Sequence, residues 1–218
     1  MILSLVNGDW KKHLKKKKIL MPTAVDKLAE QRTLSDEDYK ELLTTTNDGL
    51  LEQLRQKAEK VTLNSFGKDV YIRGLIEVSN CCRNNCLYCG IRKGNVHTLR
   101  YRIDKETILK CCERGYKLGF RTFVLQGGED PIQTDDWVED IVTAIRSNYP
   151  DCAITLSIGE KSKATYQRFY NAGADRYLLR HETYNAQHYY SLHPLEMSRT
   201  NRLQCLEWLK DIGYQVGT

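Results

Sequence analysis

From residue 70 onward the chain alternates short apolar runs with amphipathic ones, and this alternation most narrows the folds open to it. Strands are predicted at 70–78 (with Val70, Ile72, Leu75 and Ile76), 121–125, 153–158 and 176–179, with a fifth beginning at 214–217. Between them lie runs of helical period. The first, 104–118, has Asp104 as N-cap and Ile108, Cys112 and Tyr116 on one face. The second, 134–148, turns Val138, Ile141, Val142 and Ile145 inward. A third, 162–172, stops at Gly173, and a fourth, about 200–212, follows a turn through His193-Pro194 and stops at Gly213. Short apolar strands separated by helices imply an α/β fold, a parallel sheet with helices on its outside. Curled in the right-handed sense, such units make a β/α barrel or part of one, here about four units plus the start of strand five. Ahead of them, a helix starts at Ser35-Asp36-Glu37-Asp38, and a second runs through Leu50, Leu51, Leu54, Ala58 and Val61.

In barrels of this kind the loops leaving the C-terminal strand ends build the active site. Every such loop here carries unusual residues. Cysteines follow strand one, Gly127-Gly128-Glu129-Asp130 follows strand two, Gly159-Glu160 follows strand three, and Arg180-His181-Glu182-Thr183 follows strand four. The first is the most specific: Cys82, Cys86 and Cys89 stand at spacings of four and three residues in one loop. Thiolates are the ligands that iron–sulfur clusters and zinc select. A closed structural zinc site wants four donors, and His97, eight residues past Cys89, has no partner at zinc spacing. A four-iron cubane on three thiolates leaves one iron free for an outside ligand. A zinc or redox-thiol loop is the alternative. Adjacent Cys81 points elsewhere and reads as a small buried hydrophobe, and Cys111 and Cys112 read as helix packing.

The Cys-x3-Cys-x2-Cys spacing, with Tyr88 before the last Cys, resembles the radical S-adenosylmethionine (SAM) enzymes. The resemblance implies a [4Fe-4S] cluster on Cys82, Cys86 and Cys89, with the amino and carboxylate groups of SAM on the open iron, and reductive cleavage of SAM to a 5′-deoxyadenosyl radical. The expected fold is accordingly a partial, incomplete (β/α) barrel of the radical SAM type with N-terminal helices.

The other loops allow two readings each. Gly127-Gly128 lets backbone approach a ligand closely, or is a plain tight turn before Pro131. Arg180, at the end of a strand read as buried, needs an anion: Glu182, a substrate carboxylate or that of SAM. Arg202, in the first turn of the last helix, is not distinguished by pattern alone. A closer resemblance does distinguish it. The run Cys82-Arg83-Asn84-Asn85-Cys86-Leu87-Tyr88-Cys89-Gly90-Ile91-Arg92, with Leu125-Gln126-Gly127-Gly128-Glu129-Asp130-Pro131, Thr155-Leu156-Ser157-Ile158-Gly159-Glu160, the segment through Arg180-His181-Glu182-Thr183 and Asn201-Arg202-Leu203, looks like the HydE family. These are radical SAM maturases of [FeFe]-hydrogenase, related to biotin synthase and methylornithine synthase. That resemblance implies that Arg180, Glu182 and Arg202 help hold SAM, and that Tyr88, Thr155 and the strand-two turn with Gly127, Gly128 and Glu129 lie near SAM and substrate. The family often has Ser at the position of Gly127. The implied substrate is a small cysteine-bound iron complex on the way to the hydrogenase diiron centre. The implied partners are the tyrosine-cleaving radical SAM maturase and a GTPase scaffold. Biotin synthase needs a second cluster, for which Cys152 falls at the wrong end of strand three while Cys111, Cys112 and Cys205 lie on helices. An inactive iron–sulfur-binding fragment and a zinc-binding interaction module are the readings from other classes.

Charge bears on partners. The net +5 is located in residues 1–20, which hold six Lys and one Asp, while the remaining 198 residues hold 27 basic and 27 acidic side chains. Nucleic-acid and membrane partners are therefore not expected. Residues 1–24 read as a basic, disordered extension, 25–69 as a helical segment and 70–218 as the barrel, with Met21 as a candidate start. Vicinal Cys81/Cys82 and Cys111/Cys112 make a poor disulfide framework and fit a reducing cytoplasm. Ending inside strand five, the chain reads as truncated relative to six-unit cores, with a raw sheet edge.

Overall fold

The computed structural model describes residues 22–218, so the expectations for the Lys-rich start lie outside the described residues. The chain divides into two compact units, one ending at Val70 and the other spanning Tyr71–Thr218.

The first unit carries three helices, α1 (Ala24–Gln31), α2 (Asp36–Thr44) and α3 (Asp48–Phe66). Their starts are written locally: Thr23, Ser35 and Asn47 each accept a hydrogen bond from the backbone N–H three residues on. Helix α1 was not anticipated, although Thr23 and Asp26 form a reciprocal capping box. Asp26 and Asp38 tie the helices together, the first accepting from Lys57 at 2.6 Å and the second from Lys27 at 2.7 Å.

The second unit is a five-stranded parallel sheet in the order β1-β2-β3-β4-β5. The strands are β1 (Gly74–Ser79), β2 (Thr122–Gly127), β3 (Ala153–Ser157), β4 (Arg176–Leu178) and β5 (Gln215–Gly217). Helices α4 (Lys105–Lys117), α5 (Asp135–Asn148) and α6 (Lys163–Ala172) connect successive strands, and α7 (Ala186–Leu192) with α8 (Arg199–Ile212) joins β4 to β5. Strand alternation sends Phe123, Leu125, Ile154, Leu156 and Tyr177 into a core with Ile108, Cys112, Ile141, Ile145, Phe169 and Leu209 from the helices. Each large side chain so buried contributes about 1.5–3 kcal/mol. The alternate residues, among them Glu77, Gln126, Thr155 and Arg176, line the opposite, more polar face.

Two expectations need correction. Strand one starts at Gly74 and not at Val70, because its ladder with β2 begins at the Gly74–Phe123 pair and nothing before it has a partner strand. Val70 and Ile72 are consequently exposed. Cys112 packs in the core as expected, but Cys111 is exposed, one position round the helix from the buried stripe. Helix α7, with Asn185 as its N-cap, was not anticipated; it ends at Leu192, ahead of the turn read at His193-Pro194.

Candidate active site at the strand ends

Beyond Ser79 the chain enters the cysteine loop. Cys82 and Cys89 are partly exposed and Cys86 is buried, and all eight cysteines are free. Cys82 Sγ accepts from Asn84 N–H at 3.4 Å, and Cys86 Sγ lies 3.5 Å from Met197 Sδ. Burial raises the Cys86 thiol pKa, the charges of neighbouring Cys82 and Cys89 add to the rise, and Arg202 opposes it. Cys86 is thus within electrostatic reach of the other two sulfurs and of a buried guanidinium. Among the described residues no three His, Cys, Asp or Glu side chains converge as donors to a single metal ion. Cys81 is buried and turns its thiol toward the Tyr101 carbonyl, as a non-ligand should.

The strand-two turn is pressed against this loop. A Cβ on Gly128 would lie 2.4 Å from Cys81 O and 2.6 Å from Cys82 Cβ, so the backbone approach that requires glycine is to the cysteine loop itself. Gly127 is less constrained, its Cβ falling 3.2 Å from Ser79 O. Arg83 N–H donates to Glu129 O at 2.9 Å, and the Arg83 guanidinium donates twice to Glu129 Oε2, at 3.1 and 3.0 Å. Glu129 Oε1 in turn accepts from Glu160 N–H at 2.9 Å. Gly159, at φ +81, is where the Glu129 side chain passes: a Cβ there would sit 2.0 Å from Glu129 Cγ. Glu129 is therefore a buried carboxylate already engaged by protein. Asp130 plays a parallel part below, accepting from Arg102 at 2.7 and 3.0 Å and from Ser79 Oγ at 2.7 Å.

Arg202 closes the set. It is buried in the first turn of α8, its Nη1 donates to Arg180 O at 3.2 Å, and Nη2 lies 3.7 Å from Glu129 Oε1. Its Nε lies 2.6 Å from Glu160 Oε1, a close ion pair whose N–H is not aimed squarely at that oxygen. Burial by itself would weaken the hold of Arg202 on its proton, but Glu160 and Glu129 outweigh it and keep the guanidinium charged.

Arg180 corrects the reading that placed it in a buried strand end. β4 stops at Leu178, Leu179 is the last buried residue, and Arg180 is exposed with no carboxylate partner among the described residues. No Arg180–Glu182 pair forms. Glu182, held at φ 64, instead accepts from Tyr88 Oη at 3.3 Å. That hydroxyl also lies 3.3 Å from His193 Nε2, while His193 Nδ1 is 2.9 Å from Tyr189 O. Leu87 N–H donates to Leu192 O, so the end of α7 grips the cysteine loop through both backbone and side chain. His193, Tyr189 and Met197 were not found from sequence, because only α7 and its exit bring them here. Arg83 lay inside the motif without a role.

A polar atom buried without a partner is costly, and such atoms mark what a ligand would satisfy. Thr155 Oγ1 is such an atom, while Glu160 Oε1 and Arg202 Nε are buried against each other as an ion pair at 2.6 Å and Tyr189 lies against Arg202. These residues belong to β3, the loop after it, α7 and α8, and Arg202 and Tyr189 lie within electrostatic reach of Cys86. Three free thiols in one loop, with buried Arg202 beside Cys86 and the unbonded Thr155 hydroxyl, fit an iron–sulfur cluster that carries a zwitterionic ligand.

The profile of the radical SAM superfamily matches residues 76–218. The chain is 43% identical over 188 residues to the [FeFe] hydrogenase maturase subunit HydE of Thermotoga maritima, covering 86% of this chain and 53% of that protein. It is 31% identical over 194 residues to the 3-methylornithine synthase of Methanosarcina acetivorans, covering 88% and 54%. The crystal structure of methylornithine synthase (PylB) superposes with a TM-score of 0.80 at 29% identity, over 88% of this chain and 57% of that one. The hydrogenase maturase HydG shares the fold at a TM-score of 0.79 and 23% identity, over 88% and 44%. The chain spans about half the length of the curated relatives it matches.

Proposed function

The chain belongs to the radical SAM superfamily, and from that premise we propose that Cys82, Cys86 and Cys89 hold a [4Fe-4S] cluster with SAM bound beside it. When bound, such a cluster supplies the electron for reductive cleavage of SAM. The chain's own residues hold and shield. Exposed, unpaired Arg180 is suited to a carboxylate through its guanidinium fork. Thr155 Oγ1 offers a hydroxyl inside the mouth that protein leaves unused. Arg202, Glu160 and Glu129 form the charged wall behind, Gly127 and Gly128 set the wall next to the cysteines, and Tyr88 with Glu182 fixes the rim. Exclusion of water from this lining protects a reactive intermediate.

Within the superfamily we assign a HydE-like task, processing of a small iron complex for the [FeFe]-hydrogenase diiron site. The setting is a reducing cytoplasm, with the tyrosine-cleaving maturase and the GTPase scaffold as partners. The 43% identity supports it. Eight free cysteines agree with the compartment, and no helix among the described residues is long and apolar enough to cross a membrane. A methylornithine synthase-like activity is the second reading, supported by the likeness to that enzyme.

The observation that carries the proposal is three free thiols in one loop, with a buried guanidinium, Arg202, close enough to act on the Cys86 thiol. Anaerobic reconstitution tests it: we expect about four irons per chain, an EPR signal altered by SAM, and 5′-deoxyadenosine on reduction. One tightly held zinc, or a cluster signal indifferent to SAM, overturns it. Turnover of a cysteine-bound iron complex against formation of 3-methylornithine separates the two tasks.

A further inference from the structure

The chain that leaves β4 backs three successive residues of the cysteine loop. Leu87 N–H donates to Leu192 O at 2.9 Å, Tyr88 Oη lies 3.3 Å from His193 Nε2, and Cys86 Sγ lies 3.5 Å from Met197 Sδ. The first two contacts are polar and fix the course of the loop. The third is a contact between two sulfurs. Met197 is itself pinned: its N–H donates to Pro194 O at 3.0 Å, and the next residue, Ser198, is the N-cap of α8 and accepts from Asn201 N–H. A flexible side chain is thereby anchored at its backbone, with its thioether against one of the three thiols.

The three sulfurs differ in what surrounds them. Cys82 and Cys89 are partly exposed, and Cys82 Sγ accepts from Asn84 N–H at 3.4 Å. Cys86 is buried, at 9% exposure. As a free thiol it donates its S–H to Met197 Sδ; as a thiolate it has no hydrogen to give, and the thioether has none to return. The Tyr88 hydroxyl is near enough to act on the same sulfur, but its one proton is shared with Glu182 Oε1 at 3.3 Å. Solvent has a route to this place. Met197 lines a surface hollow of about 750 Å³ together with Arg83, Asn84, Asn85, Lys93 and Glu196, a polar set that favours water. Cys86 does not line that hollow, whereas Met197 touches both the hollow and the sulfur.

We propose that Met197 is the barrier that keeps water and hydrogen-bond donors off the Cys86 sulfur, and that it thereby holds the reduction potential of the cluster down. The inference rests on the cluster reading of the same three thiols. Reduction adds one electron, taken from an external one-electron reductant that is oxidised in the exchange, and neither a proton nor a bond changes place with it. The added negative charge is felt at the sulfur ligands. Solvent and hydrogen bonds at a ligand therefore favour the reduced form and raise the potential, while an apolar neighbour lowers it. A thioether donates no hydrogen bond, and its unbranched chain adapts to the space beside Cys86. Lower potential makes the reduced cluster a stronger electron donor, as reductive cleavage of SAM requires.

The test is a redox titration of the anaerobically reconstituted chain without SAM, with dithionite as reductant and the reduced cluster read by EPR. Met197→Leu keeps an apolar barrier of similar volume and is expected to leave the reduction equilibrium unchanged. Met197→Ser opens the barrier and brings a hydroxyl; it is expected to shift the equilibrium about ten-fold toward the reduced form, a rise of about 59 mV for one electron. Deuterium modulation of the EPR signal in D₂O should grow in Met197→Ser and not in Met197→Leu, since only the former admits exchangeable hydrogens to the sulfur. Where Met197→Ser does not hold about four irons, Met197→Gln, which keeps the length and adds an amide donor, carries the same expectation. A potential equal to that of the parent in the polar variants overturns the proposal. So does a shift in Met197→Leu as large as theirs, which would make the contact one of packing alone. Failure of the cluster reading looks different: the parent chain then holds zinc, or shows no iron signal to titrate.

Discussion

The two faces of the sheet use burial in opposite ways. On the outer face, Ile154, Leu156, Tyr166, Phe169, Tyr177 and Leu209 are fully enclosed, and the two phenols are bonded: Tyr166 Oη accepts from Lys161 N–H at 3.0 Å and Tyr177 Oη donates to Gly159 O at 2.8 Å. At the strand ends, burial encloses Arg202, Glu129 and Thr155 and half-buries Glu160, and the Thr155 hydroxyl is left without a hydrogen bond. Apolar contacts gain stability from every enclosed group, whereas unsatisfied polar atoms cost stability until something binds. The outer face therefore holds the fold, and the mouth is held in readiness at some expense to it.

The largest effect expected is on the outer face. Phe169→Ala should lower stability by about 3–5 kcal/mol in denaturant melts, while the SAM-induced change in the EPR signal of the folded, loaded protein persists. Loss of the SAM response in a fully folded variant would break the contrast. At the mouth, Arg202→Gln strands Glu160 and Glu129 beside one another without their shared cation and should cost about 3 kcal/mol or more together with the SAM response. Replacing the pair by Arg202→Met with Glu160→Met sharpens the point: stability is expected to recover to within about 1 kcal/mol of the parent, and the SAM response is not. Thr155→Val removes an unbonded hydroxyl at constant shape. Stability should hold or rise by up to about 1 kcal/mol, while the SAM concentration for half-maximal EPR change rises about ten-fold.

The smallest effect concerns acid. Burial alone would raise the Asp130 pKa, but Arg102, the Ser79 hydroxyl and the Ile132 N–H outweigh it and hold the carboxyl below its ordinary value. The stability that Asp130 contributes is thus present above the unfolded value of about 4 and is lost as pH falls through the depressed folded value. Asp130→Asn should lower stability at neutral pH and flatten the decline below about pH 4. An unchanged acid limb would mean that Asp130 contributes no more than a surface carboxylate does.

Much of this contrast was legible beforehand. The helical stripes through Ile108 and Cys112, or Val138 to Ile145, announce a buried face because period and polarity are local properties. The cysteine spacing announces its chemistry for the same reason. Boundaries were less legible: strand one was read four residues too early because Val70 and Ile72 are β-formers, and only the partner strand says where pairing starts. Pattern alone misplaced Arg180 and did not single out Arg202. A strand-end Arg suggests burial and a helix Arg suggests solvent, but β4 ends two residues before Arg180, and the first turn of α8 lies against two carboxylates.

By itself the sequence determined the order of elements, their caps, the apolar face of each and the loop with three thiols, since all of these depend on neighbours within a few residues. Tertiary structure alone decided that Glu129 would be bound by Arg83 and Glu160 N–H, that Gly128 would answer to Cys81 and Cys82, and that α7 would bring His193 to Tyr88. Those contacts join residues tens of positions apart, and their partners are fixed only when the strands take their register.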